Sequence, residues 1–449
     1  MATVRPSSFV FVPSQQSRCS TVFPPTICRR FHRHSPAGSR SIRNFSPYCC
    51  IAVSRRDQDA SPPSSTVSCI DSSSIRFAFT GGGSGGHIYP AIAIADELRN
   101  LCPNAKFLYI GTSEGLESKA VPSAGYDFTA IPASRLSRPI LSPQNLLLPY
   151  HLLHAIAAAW KILHRFQPHI VIGTGGYVAA PVYIAAALSG TSIGIQEQNA
   201  FPGISNKIAS PFAKKVFLAF RACLKYFPSE KCSVYGNPVR LSLRCHASKP
   251  AARAHFFPNA MNIGDDEIQL VLVLGGSQGA STINVAVLNT CCDMLLKHKN
   301  RYIIWQTGKG GFSEMEKLIK KHPRLLLTPF LQAMDLAYAA ADVVVSRAGA
   351  MTCTEILTTG KPSILIPSPF VAEDHQTNNA CIMSDIAGSK ILTEDELHSS
   401  SLATTIDEVL GDENLMAEMS QKALKSALPN AAIDIAESIL SLVSVSAPK

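Results

Sequence analysis

An imidazole behind a run of glycines is the first place in this chain where chemistry is implied. Thr80-Gly81-Gly82-Gly83-Ser84-Gly85-Gly86-His87 sets His87 at the mouth of a turn whose backbone can approach a ligand closely. The helix start that follows favours negative charge. A turn needs only glycines. The imidazole, with an unperturbed pKa of about 6.5, adds a candidate proton acceptor. A second constellation is Arg347-Ala348-Gly349-Ala350-Met351-Thr352-Cys353-Thr354-Glu355. Its small residues expose N–H groups at a helix start, suited to a diphosphate. Glu355, one turn in, can accept hydrogen bonds from the vicinal hydroxyls of a ribose. Two polar runs, Gln196-Glu197-Gln198-Asn199 and Glu373 to Asn379, complete the candidate groups.

The elements that must position these groups alternate. Apolar runs at 75–79, 106–110, 169–172, 192–195 and 216–219 read as strands, with helical or loop stretches between them. The pattern lapses over 239–268 and restarts with Gln269 to Leu274, followed by strands at 302–305, 324–327, 342–345 and 363–366. This predicts an α/β protein with two open parallel sheets, each wrapped by helices. Ligands in such sheets gather beyond the carboxyl ends of the strands, where every polar run above falls. Gly81, Gly83 and Gly86 satisfy the dinucleotide pattern, but the acidic residue it requires at the end of the next strand is missing. Gly173-Thr174-Gly175-Gly176-Tyr177 and Gly275-Gly276-Ser277-Gln278-Gly279-Ala280 are further glycine turns, and none carries the Gly-Lys-Ser/Thr of a nucleotide triphosphate loop.

The formal charge of +9 does not indicate nucleic acid. From Met1 to Arg56 there is no Asp, Glu or Lys, while arginine stands at nine positions, equal to the whole excess. An Arg- and Ser-rich, acid-poor start reads as an organelle transit peptide, of chloroplast rather than mitochondrial type, with cleavage between Cys50 and Ser74. The 13 cysteines show no zinc spacing and read as reduced thiols. No segment shows the roughly 18–20 uninterrupted apolar residues of a membrane span. The stretch Leu146 to Ile156, with Trp160, Lys161, His164 and Arg165 after it, has an apolar face with cationic neighbours. It reads equally as an interfacial helix, with Leu152, Leu153, Ile156 and Trp160 towards a membrane, or as an internal helix. The expected domains are a leader at 1–74, an acceptor- and membrane-facing domain at 75–238, a linker at 239–268, a donor domain at 269–425 and a C-terminal helix and tail at 426–449.

Seven stretches together carry a resemblance. Gly82 to Pro90, Gly173 to Pro181, Glu197 to Asn199, Gly236 to Arg240, Gly275 to Ala280, Arg347 to Glu355 and Asp374 to Ala380 resemble, in order and spacing, the MurG family of glycosyltransferases. The resemblance implies a GT-B fold with two Rossmann-like domains. It implies inverting transfer of N-acetylglucosamine (GlcNAc) from UDP-GlcNAc to a lipid-linked N-acetylmuramyl (MurNAc) peptide. By matching position, Ser84, Gly85 and Gly86 lie against the donor phosphates or sugar and Asn199 reaches the sugar. Arg240 and Ser277 meet the diphosphate, with Gln278 and Arg347 in the same binding set. Leu331 offers backbone to the uracil. Ala350, Met351 and Thr352 wrap the diphosphate, Glu355 takes the ribose, and Gln376 contacts GlcNAc. Gln196 stands where the family often has His, and an amide takes no proton near neutral pH. His87 is the expected base. No Asp-x-Asp pair suggests a metal, so the reading requires no cofactor and leaves room only for loosely bound Mg²⁺. The expected location is the chloroplast stroma, peripheral to the inner envelope. Two other readings stay open: a plastid glycolipid synthase using another UDP-sugar and diacylglycerol, and a non-catalytic nucleotide-sugar-binding relic.

Overall fold

Arg76–Thr80 forms β1, and its side chains alternate between two cores: Phe77 and Phe79 enter one, Ala78 the other. A strand buried on both faces is apolar throughout, which is why the run reads as continuous rather than alternating. The structure, a computed structural model, describes residues 75–135, 142–239, 243, 247–259, 268–276, 278–371 and 374–446. Arg240, Ser277 and the leader at 1–74 lie outside the described residues.

The first domain continues through α1 (Gly85–Leu101), β2 (Lys106–Gly111), α2 (Glu117–Ser123), β3 (Asp127–Ala130) and α3 (Leu148–Phe166). Then come β4 (Ile170–Gly173), α4 (Ala179–Leu188), β5 (Ser192–Glu197), α5 (Ile204–Ala209), β6 (Lys215–Leu218) and β7 (Cys232–Val234). The strands form one parallel sheet in the order β3-β2-β1-β4-β5-β6-β7. The second domain runs α6 (Lys249–Phe256), β8 (Gln269–Leu274), α7 (Ser281–Lys297), β9 (Arg301–Gln306), α8 (Phe312–Leu318), β10 (Leu325–Thr328) and α9 (Met334–Ala340). It closes with β11 (Val343–Ser346), α10 (Ala350–Thr359), β12 (Ser363–Leu365), α11 (His375–Ala387), β13 (Lys390–Ile391), α12 (Ser399–Gly411), α13 (Glu413–Ser426) and α14 (Ala431–Ser446). Its sheet, also parallel, is ordered β10-β9-β8-β11-β12-β13.

Both sheets reverse their winding beside their first strand: between β1 and β4, and between β8 and β11. Loops diverge at such a point and leave a crevice at the carboxyl edge. The glycine turns after β1, β4 and β8, and the loop before α10, are the loops that flank these two points. In the first sheet two of them touch. The Gly82 N–H donates to the Gly175 carbonyl at 3.4 Å. A Cβ on Gly176, which holds φ +84°, would lie 2.3 Å from the Gly82 oxygen, so only glycine fits.

The last helix returns to the first domain. In α14, Ile435, Ala436, Ile439 and Val443 are buried with Phe77, Phe79, Ile88, Ala91 and Ile94 of β1 and α1. Each fully buried isoleucine contributes roughly 1.5–3 kcal/mol. Residues 413–444 contain an 18-residue window of mean hydropathy 1.2, apolar enough for a membrane span by composition although interrupted by charged residues. The stretch is two helices, broken between Ser426 and Ala431, and the second buries one face against the first domain.

Candidate active site

His87 stands in the first turn of α1. Its Nδ1 lies 2.9 Å from the Thr174 carbonyl and 3.0 Å from Oε1 of Gln198. A carbonyl only accepts, so Nδ1 carries the proton and Nε2 keeps its lone pair. Burial pulls the ring's pKa below 6.5. Hydrogen bonds to Gln198 and Thr174, and the charge of Glu117, oppose that pull without reversing it. The imidazole is therefore neutral at physiological pH, the form a general base needs. Thr174 also donates its hydroxyl to the His87 carbonyl at 2.7 Å, so the second glycine turn holds this helix start from two sides.

Ser84 is the exposed N-cap of α1, and its side chain makes no capping bond. The N–H groups of Gly85 and Gly86 belong to the first helical turn, where no intrahelical acceptor exists. Beneath the turn, buried Glu117 accepts from Thr112 Oγ1 at 2.6 Å and from Gly83 N at 3.4 Å. Above it, Arg135 donates to the Gly83 carbonyl at 3.0 Å and stacks over Tyr177 at 5.2 Å. Neither Glu117 nor Arg135 stands out in the sequence, since each lies well away from the glycines it holds.

The polar run after β5 is mostly internal. Gln196, Glu197 and Gln198 are buried. Glu197 is caged by Asn199 N at 3.0 Å, Gly203 N at 3.1 Å and Asn206 Nδ2 at 2.8 Å. Burial raises its pKa despite these donors. Gln196 donates from Nε2 to Asn237 Oδ1 at 2.9 Å and accepts from Gln198 Nε2. An amide that must donate and accept at once suits this position. Asn199 faces the seam between the domains: its Nδ2 reaches Glu197 at 3.3 Å, and Asn379 Nδ2 approaches its Oδ1 at 3.5 Å. Asn379 is fully buried and bridges the seam, accepting from Ala200 N at 3.0 Å and donating to the Ala348 carbonyl at 3.1 Å.

In the second domain, Ala350, Met351 and Thr352 open α10, whose N-cap is Gly349 with no side-chain cap. Ten residues of aligned peptides and an uncapped start suit an anion. Glu355 is fixed by the hydroxyl of buried Tyr338, which donates at 2.9 Å. Gln376 accepts from Ser368 N at 2.9 Å through its oxygen, which orients its NH₂ as the donor side. Gln278 is exposed in the turn after β8. Leu331 is buried, and its N–H is spent on Gln306 Oε1 at 3.0 Å, so only its carbonyl is left to offer a base. Arg347 is committed elsewhere. It pairs with Glu394 and donates to the Ile366 carbonyl at 3.2 Å, which ties the loop before α10 to the segment after β13.

On α3 the buried stripe is Ala155, Ala159 and Leu163, spaced one turn apart. Leu152, Leu153 and Trp160 are exposed, Leu153 by 67%, as are Leu146, Leu147 and Tyr150. Ile156 is half-buried against the domain core.

Two parallel, doubly wound domains that set an imidazole and an uncapped helix start at their switch points have the GT-B architecture of nucleotide-sugar glycosyltransferases. Residues 77–218 match the glycosyltransferase family 28 N-terminal domain and residues 270–435 the glycosyltransferase family 28 C-terminal domain. A UDP-N-acetylglucosamine–N-acetylmuramyl-(pentapeptide) pyrophosphoryl-undecaprenol N-acetylglucosamine transferase of Salinibacter ruber is 41% identical over 362 residues, 81% of this chain and 95% of that protein. The enzyme of the same name from Flavobacterium psychrophilum is 40% identical over 368 residues, 82% of this chain and 98% of that one. The crystal structure of Acinetobacter baumannii MurG aligns with a TM-score of 0.63 at 27% identity, covering 82% of this chain and 99% of that one. The chain belongs to the MurG family.

Proposed function

We propose that this protein transfers GlcNAc from UDP-GlcNAc to a lipid-linked MurNAc-peptide with inversion at the anomeric carbon. The observation that carries the reading is the neutral His87, with Nδ1 pinned and Nε2 as lone-pair donor at the switch point of the first sheet. Nε2 takes the proton of the acceptor hydroxyl as its oxygen attacks the anomeric carbon. The bond from that carbon to the UDP oxygen breaks, and its electron pair leaves with UDP. The N–H groups at the start of α10 meet the developing diphosphate charge. Glu355 accepts from the ribose hydroxyls, and Gln376 donates to the sugar. This scheme asks for no metal in the chemical step.

The exposed side of α3 supports peripheral contact with the membrane that holds the acceptor, with Lys161 and Arg165 suited to anionic headgroups. The arginine-rich, acid-poor residues 1–56 precede the region matched by the family and support a plastid leader. The enzyme would then act in the stroma at the inner envelope. The deciding assay supplies radiolabelled UDP-GlcNAc and a short-chain lipid-linked MurNAc-peptide. Labelled disaccharide-lipid is the expected product. UDP-GlcNAc binding with no product would refute the transferase reading for this acceptor.

A further inference from the structure

We propose that Asn237 and Thr354 are positioning residues for the base: through two buried glutamines they tie His87 to the first turn of α10, so that seating the donor-binding helix also seats the base. The inference rests on the reading of His87 as general base.

The path is continuous. Thr354 donates its hydroxyl to the Ala350 carbonyl at 3.0 Å within α10. Asn237 Nδ2 donates to Thr354 Oγ1 at 3.0 Å and to the Gln198 main-chain carbonyl at 3.0 Å. Asn237 Oδ1 then accepts from Gln196 Nε2 at 2.9 Å. Gln196 Oε1 accepts from Gln198 Nε2, and Gln198 Oε1 faces His87 Nδ1 at 3.0 Å. The four side chains between the helix and the ring are all buried.

The direction of every bond follows from its ends. Main-chain carbonyls cannot donate, so Thr354 must give its proton to Ala350 and offer its lone pair to Asn237. That turns the NH₂ of Asn237 towards α10 and its oxygen towards Gln196. Gln196 is then oriented in turn; Gln198, whose Nε2 also donates to the Thr174 carbonyl at 2.8 Å and to the Gln196 carbonyl at 3.0 Å, presents an oxygen, not an NH₂, to the protonated Nδ1. A flipped Gln198 would set two donors against each other. The Thr174 carbonyl shares the Nδ1 proton, so the path does not create the tautomer. It adds a second acceptor that favours the protonated ring and keeps Nε2 basic where burial weakens it. Glu117 of α2 acts on the same ring as a fixed charge, and Arg135 holds the turn above it. None of the four relay residues is titratable. The link between Asn237 and Thr354 joins two domains, so a separation of the domains breaks it and slackens the base.

The test measures the titration of His87 by NMR on the full chain carrying ¹⁵N-histidine, assigned by its loss in His87→Ala. Asn237→Leu, Thr354→Val and Thr354→Ser are compared, together with the pH profile of kcat. The expected result is a lower His87 midpoint in Asn237→Leu and Thr354→Val. Their kcat falls roughly three- to tenfold with KM for UDP-GlcNAc unchanged, and Thr354→Ser restores both. An unchanged midpoint in both Asn237→Leu and Thr354→Val overturns the proposal. A loss of donor affinity equal to the loss of turnover also overturns it, since that marks a merely structural role. A lowered midpoint with wild-type kcat keeps the relay and removes His87 as base, which separates the two claims.

Discussion

At the scale of single residues, His87 sets the sharpest expectations. His87→Ala should lower kcat by about 10²–10⁴-fold and leave UDP-GlcNAc affinity nearly unchanged, measured by turnover and by calorimetry. The ring must be neutral to accept a proton, and its folded pKa lies below 6.5. The rate should therefore stay flat as pH falls to about 6.5 and decline only below it. The unfolded chain takes up this proton first, so this residue also makes stability decline as pH drops below about 6.5. Glu355→Ala should weaken donor binding by roughly 10–100-fold, the worth of hydrogen bonds to a charged group. Unchanged affinity would refute the ribose contact. The glycines, the imidazole and the polar strand ends were legible because each motif is local in sequence. Asn237 and Thr354 fall within two of the stretches that carry the resemblance, but their contact was not legible, because it spans 117 positions. Arg347 shows the opposite limit, since a cation two residues before a glycine does not reveal that its partner is Glu394.

At the scale of elements, central strands were legible, and β10 was too, an edge strand whose Leu325, Leu326 and Leu327 form an apolar run; the other edge strands were not. β8, in mid-sheet, is a pure apolar run, whereas β3, β7 and β13 are short, half-exposed and lie at sheet edges. These three edges carry little apolar pattern because one side meets water. The contact between the first two glycine turns gives an expectation at this level. Gly176→Ala must strain a left-handed backbone and displace Gly82, costing about 1–3 kcal/mol or more, read as a lower Tm. A second expectation concerns how α12 is fastened. Asp407 receives Lys297 at 2.8 Å and pairs with Arg301. Burial opposes ionisation there, but the hydrogen bonds from Lys297 and Arg301 prevail and hold its pKa at about 2. Its stabilisation is present above the ordinary 3.8 and is lost as pH falls through about 2. Asp407→Asn should lower stability at neutral pH, and the difference should vanish near pH 2 in urea titrations.

At the scale of the whole molecule, the two-domain plan followed from the restart of the strand pattern at Gln269. The exposure of α3 did not follow, because buried and interfacial apolar faces read alike. If that face meets lipid, Leu153→Glu with Trp160→Glu should reduce binding to anionic vesicles in flotation assays while soluble-donor affinity is kept. Unchanged flotation would refute the contact. The course of α14 has a further consequence. The first domain is built from the beginning of the chain and from its last helix, with an entire second domain between them. A ribosome therefore releases most of the first sheet long before the residues that cover Phe77, Phe79 and Ile88 exist. Until Ile435 and Ile439 emerge, that surface must wait uncovered, so the first domain begins to be synthesised before the second and is finished after it.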